Sequence, residues 1–287
     1  MNLRLCHSYW SKPAQKSRWG VAEQVISNIW MAATSVSFSK KIGAKIVLHT
    51  DYDGKEALGW LPYDEIFLTL ENSAFHPAFW ASGKTLAQEV EPTGSIHIDL
   101  DVFIKRSNTI CNTLLNECDL IVQSEEFGRE IYHEHLKLVR NALTKSRNTE
   151  LLSLLDLSRD TAYNCGVIGF NCKKLKHLFI KGYFDIYQSV ILDNVCLERI
   201  NSKNEELCFD LVAEQYWLKS IAFSEKAKVY SLLSQENEQR DAVEKHYTHI
   251  IGKAKYEDDI QGKVKELLMQ IDMNLYQKCI EITKNYI

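Results

Sequence analysis

Leu3-Arg4-Leu5-Cys6-His7 and Ala44-Lys45-Ile46-Val47-Leu48-His49 are short apolar runs of strand length. Between them, Val21–Lys41 carries apolar residues at Val25, Ile29, Ala32 and Val36, close to helical spacing. The polar stretch Ser8–Ser17 reads as a loop, and Gly43 stops the helix, as a glycine after a helix commonly does. Strand, helix, strand within fifty residues is the order of a crossover unit, whose two strands run parallel. The expected class is therefore α/β with a parallel sheet.

Working outward, Glu65–Leu70 reads as a third strand and Phe79–Val90 as a helix bearing Lys84. Further strands are expected in Ser95–Ile104, ending in Asp99 and Asp101 at the carboxyl edge of the sheet, and at Leu120–Gln123 and Tyr163–Asn171, with further helices at Arg129–Leu143, Asp210–Ala222 and Ile260–Lys284. Lys145–Thr149 reads as an exposed loop. Ile260, Val264, Leu267, Leu268, Ile271, Leu275 and Cys279 form an apolar stripe that predicts packing of the last helix on the core. No repeat or linker interrupts the pattern, so residues 1–287 are expected to form one domain.

The composition bounds the function. With 45% hydrophobic and 25% charged residues, the chain matches an ordinary globular protein. A net charge of −4 argues against a general nucleic-acid or polybasic membrane binder. The opening Met1–His7 lacks the apolar core of a signal peptide, and no run approaches the ~20 apolar residues of a membrane-spanning helix. The eight cysteines are scattered without a Cys-x-x-Cys pair, which favours reduced thiols in the cytoplasm over a disulfide framework or a zinc site.

Chemistry concentrates in Ser95-Ile96-His97-Ile98-Asp99-Leu100-Asp101-Val102-Phe103-Ile104. Read as one strand, it puts His97, Asp99 and Asp101 on one side and Ile96, Ile98 and Leu100 on the other. Two carboxylates that close repel by about 4 kcal/mol at 4 Å and an effective dielectric near 20. A divalent cation with oxygen ligands relieves the conflict. A second acidic pair, Asp51 and Asp53, lies in Asp51-Tyr52-Asp53-Gly54, which reads as a turn.

Three more segments are suggestive. His249-Ile250-Ile251-Gly252-Lys253-Ala254-Lys255 combines an imidazole, a glycine that admits close backbone approach and a lysine charge, all suited to a metal-bound diphosphate. Asn164-Cys165-Gly166-Val167-Ile168-Gly169-Phe170-Asn171 is a glycine-punctuated strand, where missing side chains mark close approach by a ligand or another backbone. Glu214-Gln215 stands ahead of an apolar helix, where an acid also suits the helix dipole. His133 and His135 diverge on a helix and read as surface residues.

In their order these segments resemble the GT-A-fold glycosyltransferases, in particular the family-8-like group with a DxD sugar-binding region. The resemblance rests on Ile98-Asp99-Leu100-Asp101-Val102, then Asn164-x-Gly166-Val167-Ile168-Gly169-Phe170, then Glu214-Gln215, then His249-x-x-Gly252-x-x-Lys255, with Leu48-His49-Thr50-Asp51 and Gly83-Lys84-x-x-Ala87 similar as well. It implies a mixed, mostly parallel sheet flanked by helices with a Rossmann-like nucleotide-binding half, and a hexosyltransferase of the retaining type. The sugar would pass from a nucleotide diphosphate donor, a uridine diphosphate sugar, to a hydroxyl acceptor, in the class of cell-surface glycan or polysaccharide synthesis. Asp99, Asp101 and His249 would hold Mn²⁺ or Mg²⁺. His7, Ser8, Asp51, Lys84, Asn164, Gly252 and Lys255 would bind the donor, and Glu214 and Gln215 would be catalytic. One departure stands out: Tyr256-Glu257 follows Lys255 where the family pattern continues with Pro-Trp.

Two other readings stay open. An apolar strand leading into Asp-x-Asp also opens phosphohydrolases of the haloacid-dehalogenase type, although here about ninety residues precede it and Phe103 replaces the small hydroxyl residue expected there. A sugar-nucleotide-binding module without catalysis is the third.

Overall fold

β1 (Arg4–Tyr9) and β2 (Lys45–Thr50) pair in parallel, Leu5 opposite Ile46 and His7 opposite Leu48, and the helix Gln24–Lys41 connects them. This computed structural model describes residues 3–15, 24–110, 117–127, 130–155, 161–202 and 209–286. The expected helix start at Val21 and the helix start at Arg129 lie outside the described residues. β3 (Glu65–Phe67) extends the sheet beyond β2, and β4 (Ile96–Ile98) lies parallel to β1 on its other side. β7 (Thr161–Phe170) runs antiparallel to both β4 and β6 (Leu120–Phe127), and β8 (Val229–Ser231) closes the far edge parallel to β6. The sheet thus has seven strands in the order β3-β2-β1-β4-β7-β6-β8, with β7 alone reversed among them. The α/β class and the parallel pairing of the first two strands are as the apolar spacing predicted, and the sheet is mixed and mostly parallel.

Burial explains the long second helix. From Ser27 to Ser39 every residue of Gln24–Lys41 is buried, because the sheet covers one side and the C-terminal helices the other. Ile29, Trp30, Met31 and Phe38 meet Leu48 and Phe103 from the sheets and Val264, Leu268, Leu275 and Cys279 from those helices. The apolar C-terminal stripe therefore packs on the core. It does so from two helices, Asp258–Ile271 and Met273–Thr283, rather than one, because Asp272 turns the chain and caps the second through Leu275 N–H.

Several boundaries move for local reasons. Ser8 and Tyr9 belong to β1, and Ser11–Gln15 is a short helix, so the expected loop begins later. Asp51 does not start a turn. It caps the helix Tyr52–Leu58, its Oδ1 accepting from Gly54 N–H at 2.9 Å. The strand in Ser95–Ile104 ends at the acids, as expected: β4 stops at Ile98, Asp99 N–H still bonds Gly166 O, and Val102 N–H then bonds Asp99 O as the chain turns. The remainder becomes β5 (Val102–Ile104), paired antiparallel with β9 (Tyr247–His249) in a separate two-stranded sheet. Glu214 and Gln215 stand ahead of the apolar helix Trp217–Ser224, as expected, but in a π-helical stretch, Leu211–Tyr216, that runs into it. Among the described residues no helix is long and apolar enough to cross a membrane.

Candidate metal and ligand site

The site forms where β4 ends. The β5–β9 register sets His249 opposite Val102, and Ile250 N–H bonds Asp101 O at 3.1 Å, so the histidine sits beside the acidic pair from 148 positions further along the chain. His249 Nε2 is 3.5 Å from Asp101 Oδ1. One ligand-type atom each from Asp99, Asp101 and His249 all lie within 4.8 Å of one another.

Gln123 orients the imidazole. Its Oε1 offers lone pairs only, so the 2.7 Å contact with His249 Nδ1 is donated by the ring, and Nε2 is the nitrogen left facing Asp101. Tyr247 O–H donates to the same oxygen at 2.7 Å. Gly166 makes room for this arrangement, since a Cβ there would stand 2.5 Å from both Gln123 Oε1 and His249 Cε1. The close approach expected at the glycines of β7 is that of the His249 ring and Gln123 at Gly166, and that of Ile96 and the Ser95 carbonyl on the neighbouring strand at Gly169.

Two lysines flank the acids. Lys84, on the helix Ser82–Val90, places Nζ 2.9 Å from Asp99 Oδ1 and 2.9 Å from Glu214 Oε1, and donates to Cys165 O at 2.8 Å. Burial works to lower its pKa, but the two carboxylates outweigh burial and hold it above the ordinary lysine value. Lys255 ion-pairs with Asp101 Oδ2. Burial alone would raise the Asp101 carboxyl pKa, yet the Lys255 charge and then His249 drive it below the usual range. Lys255 reaches this place from a short 3₁₀ turn, Gly252–Tyr256, that starts with Gly252 at φ +70°, a left-handed value suited to glycine.

Glu214 is fully buried, and neither carboxylate oxygen receives an aligned hydrogen bond; the Lys84 contact is an ion pair. Burial, reinforced by Asp99 and opposed by Lys84, raises its pKa to about 7. His97 lies behind Asp99, with Nε2 2.8 Å from Ser8 Oγ and a buried Nδ1 that has no hydrogen-bond partner and stands 3.8 Å from Asp99 Oδ1. Ser8, Trp80, Lys84, Asp99, Asp101 and Lys255 line a cleft of about 170 Å³.

The other predicted residues are placed elsewhere. His7 is fully buried, and both ring nitrogens are used. Ser35 O–H donates to Val102 O, so Ser35 Oγ accepts from His7 Nε2–H at 3.0 Å and His7 Nδ1 accepts from Tyr63 O–H at 2.8 Å. Asp51 spends Oδ1 on its helix cap and Oδ2 on Ser11 N–H and O–H. Both side chains are committed to bonds within the fold, and neither lines the cleft. Asn164 and Gln215 form a second polar group. Asn164 Nδ2 donates to Glu126 Oε1 at 2.8 Å, and Tyr132 Oη lies 2.9 Å from Glu126 Oε2 and 2.6 Å from Gln215 Oε1. Adjacent in sequence, Glu214 and Gln215 thus face different partners. His135 is half-buried with its ring edge-on to Phe209, while His133 is exposed as expected.

The donor set fits a divalent cation. Two carboxylates and one imidazole with Nε2 facing Asp101 suit Mn²⁺, and the carboxylates suit Mg²⁺. A second convergence, Cys6, His49 and Glu91, is different in kind. Arg4 forks onto both Glu91 oxygens at 2.6 and 2.7 Å, His49 Nε2 lies 3.0 Å from Oε1, and burial pushes the Cys6 thiol pKa well up. That cluster is a structural ion-pair hub joining β1, β2 and the helix Ser82–Val90. The sequence reading missed Gln123, which lies in an otherwise apolar strand run, and Trp80, which carried no motif.

Residues 3–282 match the family of unknown function DUF6734, and the chain belongs to that family. No curated protein matches it.

Proposed function

We propose that this DUF6734 chain is a divalent-metal-dependent glycosyltransferase that moves a sugar from a nucleoside diphosphate to a hydroxyl group. The observation that supports the reading most is the convergence of Asp99, Asp101 and His249 beside a cleft flanked by Lys84 and Lys255. Asp99, Asp101 and His249 would hold Mn²⁺ or Mg²⁺, which supplies positive charge where the diphosphate leaves. Lys84 is a fixed cation, pinned by Asp99, Glu214 and Cys165 O, and presents charge to the cleft without reorganising. Lys255, which lines the cleft, and the Gly252 backbone would meet phosphate oxygens. Ser8 offers a hydroxyl backed by His97. Glu214, with a pKa raised to about 7, can hold or release a proton near neutral pH beside Lys84. Asn164, Glu126 and Gln215 form a polar wall suited to acceptor hydroxyls. The six free cysteines among the described residues suit a reducing compartment, the cytoplasm.

The test is a panel of nucleotide sugars with Mn²⁺, scored for release of nucleoside diphosphate. Metal-dependent release with one or a few donors supports the proposal. Turnover of p-nitrophenyl phosphate with no release from any donor would instead favour a phosphohydrolase, and donor binding without turnover a binding module.

A further inference from the structure

Each acid of the candidate centre is already paired with an ammonium, and the two pairs differ. Lys84 belongs to a helix, is 5% exposed and makes three polar contacts. Lys255 stands on the short turn after Gly252, its side chain 21% exposed at the cleft, and ion-pairs with the nearly buried Asp101. Asp101 Oδ1 meanwhile faces His249 Nε2, so one carboxylate is shared between a ligand-bearing ring and a lysine. The buried, unpartnered His97 Nδ1 aimed at Asp99 marks the cluster as one that its own side chains leave unsatisfied.

Charge decides what enters. Asp99, Asp101 and Glu214 face Lys84 and Lys255, so even with Glu214 ionised a dication arriving alone leaves at least one positive charge in excess beside the nearly buried Asp101. A nucleoside diphosphate brings the missing negative charge and gives the Lys255 ammonium a new partner. We infer that the divalent cation and the nucleoside diphosphate bind as a coupled pair, with Lys255 occupying Asp101 until the diphosphate draws it away. The inference rests on the function proposed above and adds the order of events at that site. By linkage, each ligand then tightens the other by the same factor.

Calorimetric titration with Mn²⁺, alone and with saturating uridine diphosphate, tests this on the wild type, Lys255→Met and Lys255→Arg, with circular dichroism to check each fold. In the wild type, the diphosphate is expected to tighten Mn²⁺ binding by about tenfold or more. Lys255→Met is expected to bind Mn²⁺ alone about tenfold more tightly than the wild type and to lose most of the coupling, while Lys255→Arg retains it. Equal Mn²⁺ affinity with and without the diphosphate in the wild type would overturn the coupling, as would a Lys255→Met protein that binds Mn²⁺ alone no more tightly. Absence of Mn²⁺ binding in all three proteins, even with the diphosphate present, would remove the site itself and the reading beneath it.

Discussion

Gln123 Oε1 sits between two donors, Tyr247 O–H and His249 Nδ1–H, each at 2.7 Å, and is 1% exposed. Its work is directional: it decides which ring nitrogen faces Asp101. Replacing it with methionine keeps the volume but removes the acceptor, freeing the ring to rotate and change tautomer. Gln123→Met is expected to weaken Mn²⁺ binding by about 10–100-fold with the fold retained, checked by titration beside a thermal melt. Unchanged affinity would show that His249 needs no such orientation. The sequence made the acids and the imidazole visible because their types are rare in apolar strands and chemically pointed. It hid Gln123, whose role comes only from the packing of β6 against β9. It also gave no sign that His7 and Asp51 are buried and bonded to Tyr63, Ser35 and Ser11.

At the scale of elements, the site depends on a strand that stops. Apolar patterning continues past the acids at which the strand ends, because Ile96, Ile98, Val102, Phe103 and Ile104 are all buried. Periodicity reports which side chains are covered, and here two different sheets cover them. The turn at Asp99 sends β5 away to pair with β9, and that pairing brings His249 back. The same limit explains Glu214 and Gln215: a helical pattern was readable, but the π-helical winding that turns the two toward Lys84 and Tyr132 was not. β7 must lie close against β9 for the ring to fit. Gly166→Ala would push a methyl group into His249 and Gln123. We expect it to cost about 1–3 kcal/mol of stability in urea unfolding and to displace the ring enough to abolish Mn²⁺ binding. Wild-type behaviour in both measurements would show that the strand–ring contact is slack.

Across the whole molecule, the strand–helix–strand opening and the packing of the C-terminal stripe were readable from the sequence, since both follow from apolar spacing alone. The sheet order and the reversal of β7 were not, because strand pairing joins segments as far apart as Ile96 and Gly169. Burial at this scale also sets a pH dependence. Removal from water lowers the His7 pKa to about 3, against a weaker upward pull from Asp101. The unfolded histidine titrates near 6.5, so below that pH the unfolded chain takes up a proton that the folded chain refuses. The contribution of His7 is therefore fully present above pH 6.5 and lost as pH falls toward 3, at up to about 1.4 kcal/mol per pH unit. Urea midpoints are expected to fall between pH 6.5 and 4, and less steeply in His7→Gln. Parallel slopes for the two proteins would contradict a neutral buried imidazole at this position.

The most direct measurement is an anomalous difference map at the manganese absorption edge, from crystals grown with Mn²⁺ and uridine diphosphate. The account predicts a peak bounded by Asp99, Asp101 and His249 that disappears in Asp101→Asn crystals. No peak at that place, or one confined to Cys6, His49 and Glu91, would contradict it.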